Sequence, residues 1–275
     1  MKDSLIIKFL YQSVPGRILL KFLVHPKLSR AAAVFFSKGC SKWLVPIFIR
    51  KNKIDISKYE IPPKGYKSFN DFFTRKLRAD DFLRNCDSFV SPCDGLLTVS
   101  EITKDYIFHI NHTEYSEKEL QQDEELAEKF LGGTAYNFRL TPAHYHRYSF
   151  CTSGVLTAQK RIDGVLHSVQ PVCHEMTDVF IQNSREYTVI DSPENGIVLQ
   201  MEVGALLVGK ISNHDIPLQR EVRAGQEKGY FEYGGSSIVV LTQKTTQLSD
   251  KILHREKIGD EIPVRVGENL NATRT

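Results

Sequence analysis

The stretch Gly234-Gly235-Ser236-Ser237-Ile238-Val239-Val240-Leu241 joins a flexible Gly-Gly pair to an apolar run near the C-terminus. Four consecutive aliphatic residues after a turn predict a buried β-strand. Because glycine adopts backbone angles that are closed to other residues, the Gly235–Ser236 peptide can bend until the Ser236 hydroxyl faces the preceding carbonyl. Such a serine is able to cut its own chain. The alternative, more usual for this tetrapeptide, is a simple turn or connector.

Short apolar runs of the same kind recur from about Phe89 onward, separated by Gly, Asn, Asp and Pro. The runs are Gly95–Val99, Gly154–Ala158, Gly196–Met201 and Ser237–Thr242. This pattern predicts a mainly β domain of many short strands. Together with helices at the N-terminus, it makes the expected fold class α+β.

The first fifty residues have a different character. They hold nine Lys or Arg residues and one acidic residue, Asp3, whereas the whole chain has a net charge of only +3. Apolar clusters recur at helical spacing, as in Ile18, Leu19, Phe22 and Leu23. Basic amphipathic helices suit an anionic membrane surface, and the alternative is helices that pack on the rest of the protein. No run approaches the roughly 18 apolar residues of a transmembrane span, so peripheral attachment is expected.

Composition sets further bounds. At 275 residues and 41% hydrophobic, the chain is long enough for one large core with an N-terminal extension. The five cysteines are odd in number and scattered, without a C-x-x-C pair, which predicts a reducing compartment and no zinc site. Nucleic-acid binding is disfavoured, because the basic residues lie among bulky aliphatic ones rather than in a polar groove.

Two other segments carry ionisable groups in turn-rich contexts. Ser91–Gly95 contains Asp94, and Pro142–Tyr148 contains His146. An acceptor that orients an imidazole, and an imidazole that takes the proton of a hydroxyl, are what an activated serine requires. Asp94, His146 and Ser236 supply those three groups. Taken singly, an Asp-Gly pair is more often a turn and a lone histidine more often a packed side chain.

Four segments together resemble the phosphatidylserine decarboxylase family. They are Asp94 in Pro-x-Asp-Gly, His146 in Tyr-His-Arg, Val203-Gly204-Ala205 followed by Val208-Gly209, and the Gly-Gly-Ser-Ser at 234–237. Ser68–Arg75 also resembles the start of that family's catalytic domain. The resemblance covers about Tyr66 to the C-terminus. It implies a basic amphipathic membrane-association region at residues 1–65 and a catalytic domain at residues 66–275.

The resemblance implies a self-made cofactor. The Ser236 hydroxyl would attack the Gly235 carbonyl, and elimination and hydrolysis would convert Ser236 into a pyruvoyl group without any metal. Cleavage at Gly235–Ser236 would yield a β chain of residues 1–235 and an α chain of residues 236–275 that remain associated. The pyruvoyl carbonyl would form a Schiff base with phosphatidylserine, whose decarboxylation gives phosphatidylethanolamine, with His146 as a proton donor in this second stage. The expected location is peripheral, on the cytoplasmic face of a bacterial cell membrane, with a homodimer as a further expectation.

Three further residues are candidates for substrate binding: His144, Arg147 and Ser237. A guanidinium such as that of Arg147 presents a fork suited to phosphate oxygens. His144 stands where the family more usually has an aspartate, and Ser149 where it often has a second histidine. Two other functions remain as alternatives: a non-enzymatic lipid-surface protein that never matures, and a pyruvoyl decarboxylase of a soluble amino acid.

Overall fold

The computed structural model describes the ranges 9–10, 12–23, 26–78, 89–103, 107–110, 113–116, 123–167, 179–205, 210–233, 236–243, 248–258 and 260–271. The α-helices in these ranges are α1 (Val14–Leu23), α2 (Pro26–Ser37), α3 (Leu44–Asn52), α4 (Phe69–Phe73), α5 (Glu124–Glu128), α6 (Val179–Gln182) and α7 (Asp250–Leu253). Two 3-10 helices cover Gly39–Trp43 and Ile56–Lys58. The strands are β1 (Gly95–Glu101), β2 (Ile107–Ile110), β3 (Thr113–Ser116), β4 (Thr134–Leu140), β5 (Arg147–Ser149), β6 (Gly154–Ile162), β7 (Arg185–Ser192), β8 (Gly196–Val203), β9 (Ile211–Asn213), β10 (Glu221–Val222), β11 (Glu227–Phe231), β12 (Ser236–Thr242) and β13 (Ile262–Val264).

The strands form three antiparallel sheets. The largest has eight strands in the order β10-β6-β7-β8-β12-β4-β1-β13. A second sheet has the order β5-β11-β9, and β2 pairs with β3 in a hairpin. The apolar runs predicted as strands form β1, β6, β8 and β12, so the prediction of a mainly β fold with N-terminal helices is confirmed.

The strand β12 lies near the middle of the large sheet and is buried along its whole length. Ile238 and Val240 belong to one core, which also contains Tyr148 and Phe231 of the three-stranded sheet. Val239 and Leu241 face the opposite way, into a second core. That core also contains Leu199 and Met201 of β8 and Leu126 of α5. Because both faces are covered, the sequence of β12 is a continuous apolar run rather than an alternating one.

The N-terminal helices pack around α4. The rings of Phe36 and Phe48 lie 5.4 and 5.2 Å from that of Phe69, and the Phe69 N–H donates to the Ser41 hydroxyl at 3.0 Å. The same region exposes large apolar side chains, among them Ile18, Leu19, Val34, Phe35, Trp43 and Ile47. Among the described residues no single helix is long and apolar enough to span a membrane. The segments Ala31–Ser37 and Gly39–Asn52 together have the length and composition of a span, but the chain bends by 75° between them.

Three cysteines fall within the described ranges. Cys93 and Cys151 are buried free thiols whose pKa is raised by burial, and Cys40 is exposed. Cys86 and Cys173 lie outside the described residues. In the described part of the chain, no three His, Cys, Asp or Glu side chains cluster in a way that could hold a metal ion.

Candidate active site

Asp94 immediately precedes β1 and is held by backbone donors from two other segments. Its Oδ1 accepts from the Val266 N–H at 3.0 Å, and the Tyr145 N–H also hydrogen-bonds the carboxylate. Burial raises the pKa of Asp94, and the two N–H groups partly oppose this rise because they stabilise the charged form. The next residue is Gly95, where an added Cβ would lie 3.2 Å from the Arg139 carbonyl oxygen. The turn that carries Asp94 therefore sits tightly against β4.

His146 is fully buried at the start of β5. Its carbonyl accepts from the Phe231 N–H at 2.9 Å, which ties it to the end of β11. The imidazole stacks on the ring of Phe73, with centroids 3.9 Å apart and planes inclined by 33°. The last residue of α4 thus covers one face of this imidazole.

Ser236 is the first residue of β12 and is paired with Leu140, the last residue of β4. Successive side chains of a strand point to opposite faces, so Ser236 shares a face with Ile238. That face packs on the three-stranded sheet, whose strand β5 follows directly after His146. The Ser236 hydroxyl is buried and has no hydrogen-bond partner among the described residues.

The approach to the candidate cleavage site is fixed by α4, although Gly234 and Gly235 themselves lie outside the described residues. The helix begins at Ser68, whose hydroxyl accepts from the Asp71 N–H at 3.1 Å. Asn70 accepts from the Tyr233 N–H at 3.2 Å, and the Tyr233 ring lies 5.1 Å from that of Phe73. One short helix therefore contacts both the imidazole of His146 and the residue that precedes the Gly-Gly pair.

The topology places Asp94 and Ser236 at one edge of the large sheet, where the segment that carries His146 leaves β4. The strands β1 and β12 flank β4 and run antiparallel to it, so both begin where β4 ends. With neighbouring strands about 4.8 Å apart, the starts of β1 and β12 are separated by about 10 Å. His146 lies in the chain that leaves this edge after Leu140.

The three candidate substrate-binding residues have different surroundings. The Nδ1 of His144 accepts from the Thr141 N–H at 3.1 Å, and burial together with the positive charge of Arg139 lowers the pKa of His144 to about 4. Arg147 donates to the Thr74 carbonyl at 2.7 Å and pairs with Glu227 at 2.8 Å. Ser237 is buried and faces away from the three-stranded sheet, opposite to Ser236.

A cavity of about 340 Å³ adjoins these residues. Arg147, Tyr148 and Ser149 line one side, and Tyr145 and Val266, whose N–H groups hold Asp94, line another. Exposed Lys76 and Glu60 also line it. The cavity is therefore open to solvent beside the Asp94 turn and has both basic and acidic groups around it.

Sequence reasoning missed the role of Phe73 and Asn70 as side chains that position other parts of the site. Both lie in the Ser68–Arg75 segment, which the family resemblance indicates only as the start of the catalytic domain. The signal was present in the pattern Phe69-Asn70-Asp71-Phe72-Phe73, where three phenylalanines on a five-residue helix have too much apolar surface for a surface turn. The second part of the predicted glycine motif, Val208-Gly209, lies outside the described residues.

Comparison with known proteins identifies the family of this chain. The model of the phosphatidylserine decarboxylase family matches residues 69–272. Phosphatidylserine decarboxylase proenzyme 2 of Clostridium acetobutylicum is 42% identical over 272 residues, covering 97% of this chain and 91% of the relative. The proenzymes of Ruminiclostridium cellulolyticum and Clostridium perfringens are 37% and 35% identical, each over 96% of this chain and 90% and 92% of the relative.

These matches define the class as that of the decarboxylating carboxy-lyases made as proenzymes. The chain belongs to the phosphatidylserine decarboxylase family. The resemblance inferred from four short motifs is thereby confirmed over nearly the full length.

Proposed function

We propose that this chain is a proenzyme that cleaves itself between Gly235 and Ser236 and then decarboxylates phosphatidylserine to phosphatidylethanolamine. The observation that carries the proposal is the Ser236 hydroxyl. It is buried and lacks a hydrogen-bond partner among the described residues. It faces the three-stranded sheet, whose strand β5 directly follows His146. A buried hydroxyl without a partner is costly for stability. Ser237 shares this property, and Ser236 differs from it because Ser236 directly follows the Gly-Gly pair and faces the sheet next to His146.

The cleavage step balances with the residues at hand and water. The Ser236 oxygen bonds to the Gly235 carbonyl carbon, the peptide C–N bond breaks, and the hydroxyl proton passes through His146 to the released amine. Elimination then removes the Cα proton of Ser236 and breaks its Cβ–O bond, which leaves a Gly235 carboxylate and dehydroalanine. Water hydrolyses the tautomer of dehydroalanine to a pyruvoyl group and ammonia. Asp94 orients the imidazole in this scheme through the Tyr145–His146 backbone that it anchors.

The position of Ser236 fits a covalent carbonyl group. Ser236 is paired with Leu140 of β4, and the next residue, Ser237, is paired with both β4 and β8, so a group at the start of β12 is held next to a strand that is paired on both sides. When formed, a pyruvoyl group supplies an electron sink for the carbanion left by loss of carbon dioxide. This chain's residues would bind and orient the lipid head group and exclude water, with Phe73 shielding His146 as it delivers a proton.

We propose that the N-terminal region holds the enzyme peripherally on the cytoplasmic face of a bacterial membrane, where its substrate lies. The basic charge of residues 1–50 and the exposed side chains of Phe35, Trp43 and Ile47 support this. Flotation with phosphatidylserine vesicles tests it. Trp43→Ser should weaken flotation, whereas Leu218→Ser, which changes another exposed apolar residue, on the β domain, should not. Equal loss in both variants would contradict a specific N-terminal attachment.

Intact mass of the purified chain beside Ser236→Ala tests the main proposal. We expect a 236–275 fragment with a blocked, ketone-bearing first residue in the wild type and an uncut chain in the variant. The matured protein should then release carbon dioxide from phosphatidylserine vesicles. An uncut wild type would favour a non-enzymatic lipid-surface protein, and a cleaved wild type that decarboxylates only a free amino acid would favour a soluble substrate.

A further inference from the structure

Glu202 of β8 and Lys228 of β11 form an ion pair buried between the two larger sheets. Both side chains are almost completely shielded from solvent, and the Lys228 ammonium donates directly to the Glu202 carboxylate. Gln200 donates to the same carboxylate at 3.1 Å, and Asn213 contacts both charged groups at 3.3 Å. The pair joins the eight-stranded sheet to the three-stranded sheet.

Lys228 reaches this position because of a β-bulge. In the pairing of β11 with β5, Glu227 lies opposite Ser149 and Gly229 opposite Tyr148, so Lys228 is an extra residue without a partner in β5. A bulge redirects the side chain of its extra residue. The ammonium of Lys228 is thereby turned toward the large sheet, 5.9 Å from the centre of the Tyr148 ring.

Each charged residue is linked to a strand next to the candidate cleavage site. Lys228 is in β11, which ends at Phe231, and four residues separate Phe231 from Ser236 at the start of β12. Glu202 is paired with Ile238 of β12, and both share a face of the sheet with Ser236. The ion pair thus ties the strand before the cleavage site to the immediate neighbour of the strand after it.

Stability alone gives a poor account of this pair. Removal of two charges from water costs several kcal/mol per ion, and replacement of a buried ion pair by apolar residues of similar volume is often neutral or stabilising. A directional contact between two strands is what an ion pair provides and an apolar contact does not. The reaction that needs such direction is the attack of the Ser236 oxygen on the adjacent carbonyl, since a misplacement of about 1 Å can slow an intramolecular reaction by about 10²-fold.

We propose that Glu202 and Lys228 are positioning residues for self-cleavage, which hold β11 and β12 so that the Gly235 carbonyl stays within reach of the Ser236 hydroxyl. Neither residue touches the reacting atoms. The proposal rests on the proposed cleavage at Gly235–Ser236. After cleavage, the start of β12 is still held by its ladders with β4 and β8, so the pair is no longer needed for turnover.

The test follows cleavage of the full chain during cell-free synthesis, by intact mass at successive times. The variant is Glu202→Leu/Lys228→Met, and the control is Arg161→Gln/Asp163→Asn, which removes an exposed ion pair at the end of β6. We expect the first variant to melt close to the wild-type temperature but to cleave about tenfold to a hundredfold more slowly. The control should cleave at the wild-type rate, and matured protein of both should turn over phosphatidylserine like the wild type.

A second variant, Glu202→Gln/Lys228→Gln, retains hydrogen bonding and decides the matter if the apolar pair does not fold. A folded variant of either kind that cleaves at the wild-type rate overturns the proposal. Failure of both variants to fold also overturns it, because the pair would then be a requirement for folding rather than for positioning. An uncut wild type would instead remove the proposed function, so the two failures are distinguishable.

Discussion

The two faces of β12 differ in what they carry. On the face toward the three-stranded sheet, Ser236 is followed by Ile238 and Val240, and the neighbouring strand β8 contributes Gln200 and Glu202. On the other face, Val239 and Leu241 pack in a core with α5, and the neighbouring strand β4 contributes Asn137 and the ion-paired Arg139. Both faces are equally buried, so burial by itself does not distinguish them.

The polar residues of the first face connect two sheets. Gln200 accepts from the Cys151 N–H and donates to the Ser149 carbonyl, both at 3.0 Å, while Glu202 pairs with Lys228. These contacts fix the three-stranded sheet relative to β12, and β5 of that sheet begins next to His146. The polar groups of this face hold the alignment of two sheets, whereas the buried Arg139–Glu261 ion pair of the other face joins β4 to the residue before β13.

The largest effect should separate the two adjacent serines. Ser236→Ala removes the attacking hydroxyl and should abolish cleavage completely. Ser237→Ala should cleave close to the wild-type rate, because Ser237 lies on the face opposite to Ser236, and it should not lower the melting temperature, since it removes a buried hydroxyl that lacks a partner among the described residues. Intact mass and thermal melts of both variants check this. Equal loss of cleavage in Ser237→Ala would show that both faces take part.

The next effect concerns the two histidines of the chain that follows β4. His146→Asn should slow cleavage by about 10²–10⁴-fold, the usual contribution of a general base. His144→Asn should cleave much faster than that, because its ring is bound to the Thr141 N–H and has a low pKa set by burial and Arg139. Rates from the same time-resolved mass measurement decide. A His146→Asn protein that cleaves normally would exclude His146 as the base.

A third comparison uses Phe73, beside His146, and Phe130, in the core on the β12 face opposite to Ser236. Phe73 and Phe130 are both fully buried, so replacement of either by Ala should cost about 3–5 kcal/mol of stability. Only Phe73→Ala should slow cleavage when both variants are studied well below their melting temperatures, because the Phe73 ring contacts His146 and Tyr233. Phe130 packs in the core on the other side of the sheet. A similar slowing in both variants would mean that cleavage follows stability alone.

Much of this architecture could be predicted from local sequence. The apolar runs that follow Gly95, Gly154 and Gly196 read as strands because they are short, punctuated and rich in aliphatic residues. The helices of residues 14–37 followed from apolar spacing. The grouping of Asp94, His146 and Ser236 could not be predicted from periodicity. The turn before β1 and the start of β12 lie at the same end of the sheet only because both strands flank β4.

The inter-sheet contacts could not be predicted in this way. Glu202 lies in an apolar strand, where a single acidic residue normally marks a solvent-facing position. Its burial depends on a second sheet, and its partner Lys228 is turned inward by a bulge that depends on the pairing of β11 with β5. The contact of Phe73 with His146 likewise joins residues far apart in sequence. Such tertiary contacts leave no periodic signal.

The smallest predicted effect is a pH dependence of stability that arises near Arg139, on the β12 face opposite to Ser236. Burial and the positive charge of Arg139 lower the pKa of His144 to about 4, so His144 is neutral in the folded protein above that pH. Arg139 is paired with Ser237 in the sheet and therefore lies on the same face as Ser237 rather than Ser236. An unfolded histidine has a pKa of about 6.5, so the unfolded state binds an extra proton between those values. Stability therefore falls as the pH drops from about 6.5 toward 4.

Thermal melts of the wild type and His144→Asn between pH 7 and pH 4.5 measure this contribution. The variant cannot take up the proton, so its melting temperature should fall less steeply with decreasing pH, and the difference between the two proteins should shrink or reverse at the acid end. His254→Asn is the matched control, because it removes an exposed histidine that directly follows α7. Parallel curves for the wild type and His144→Asn would mean that the pKa of His144 is the same in the folded and the unfolded protein, which would contradict this prediction.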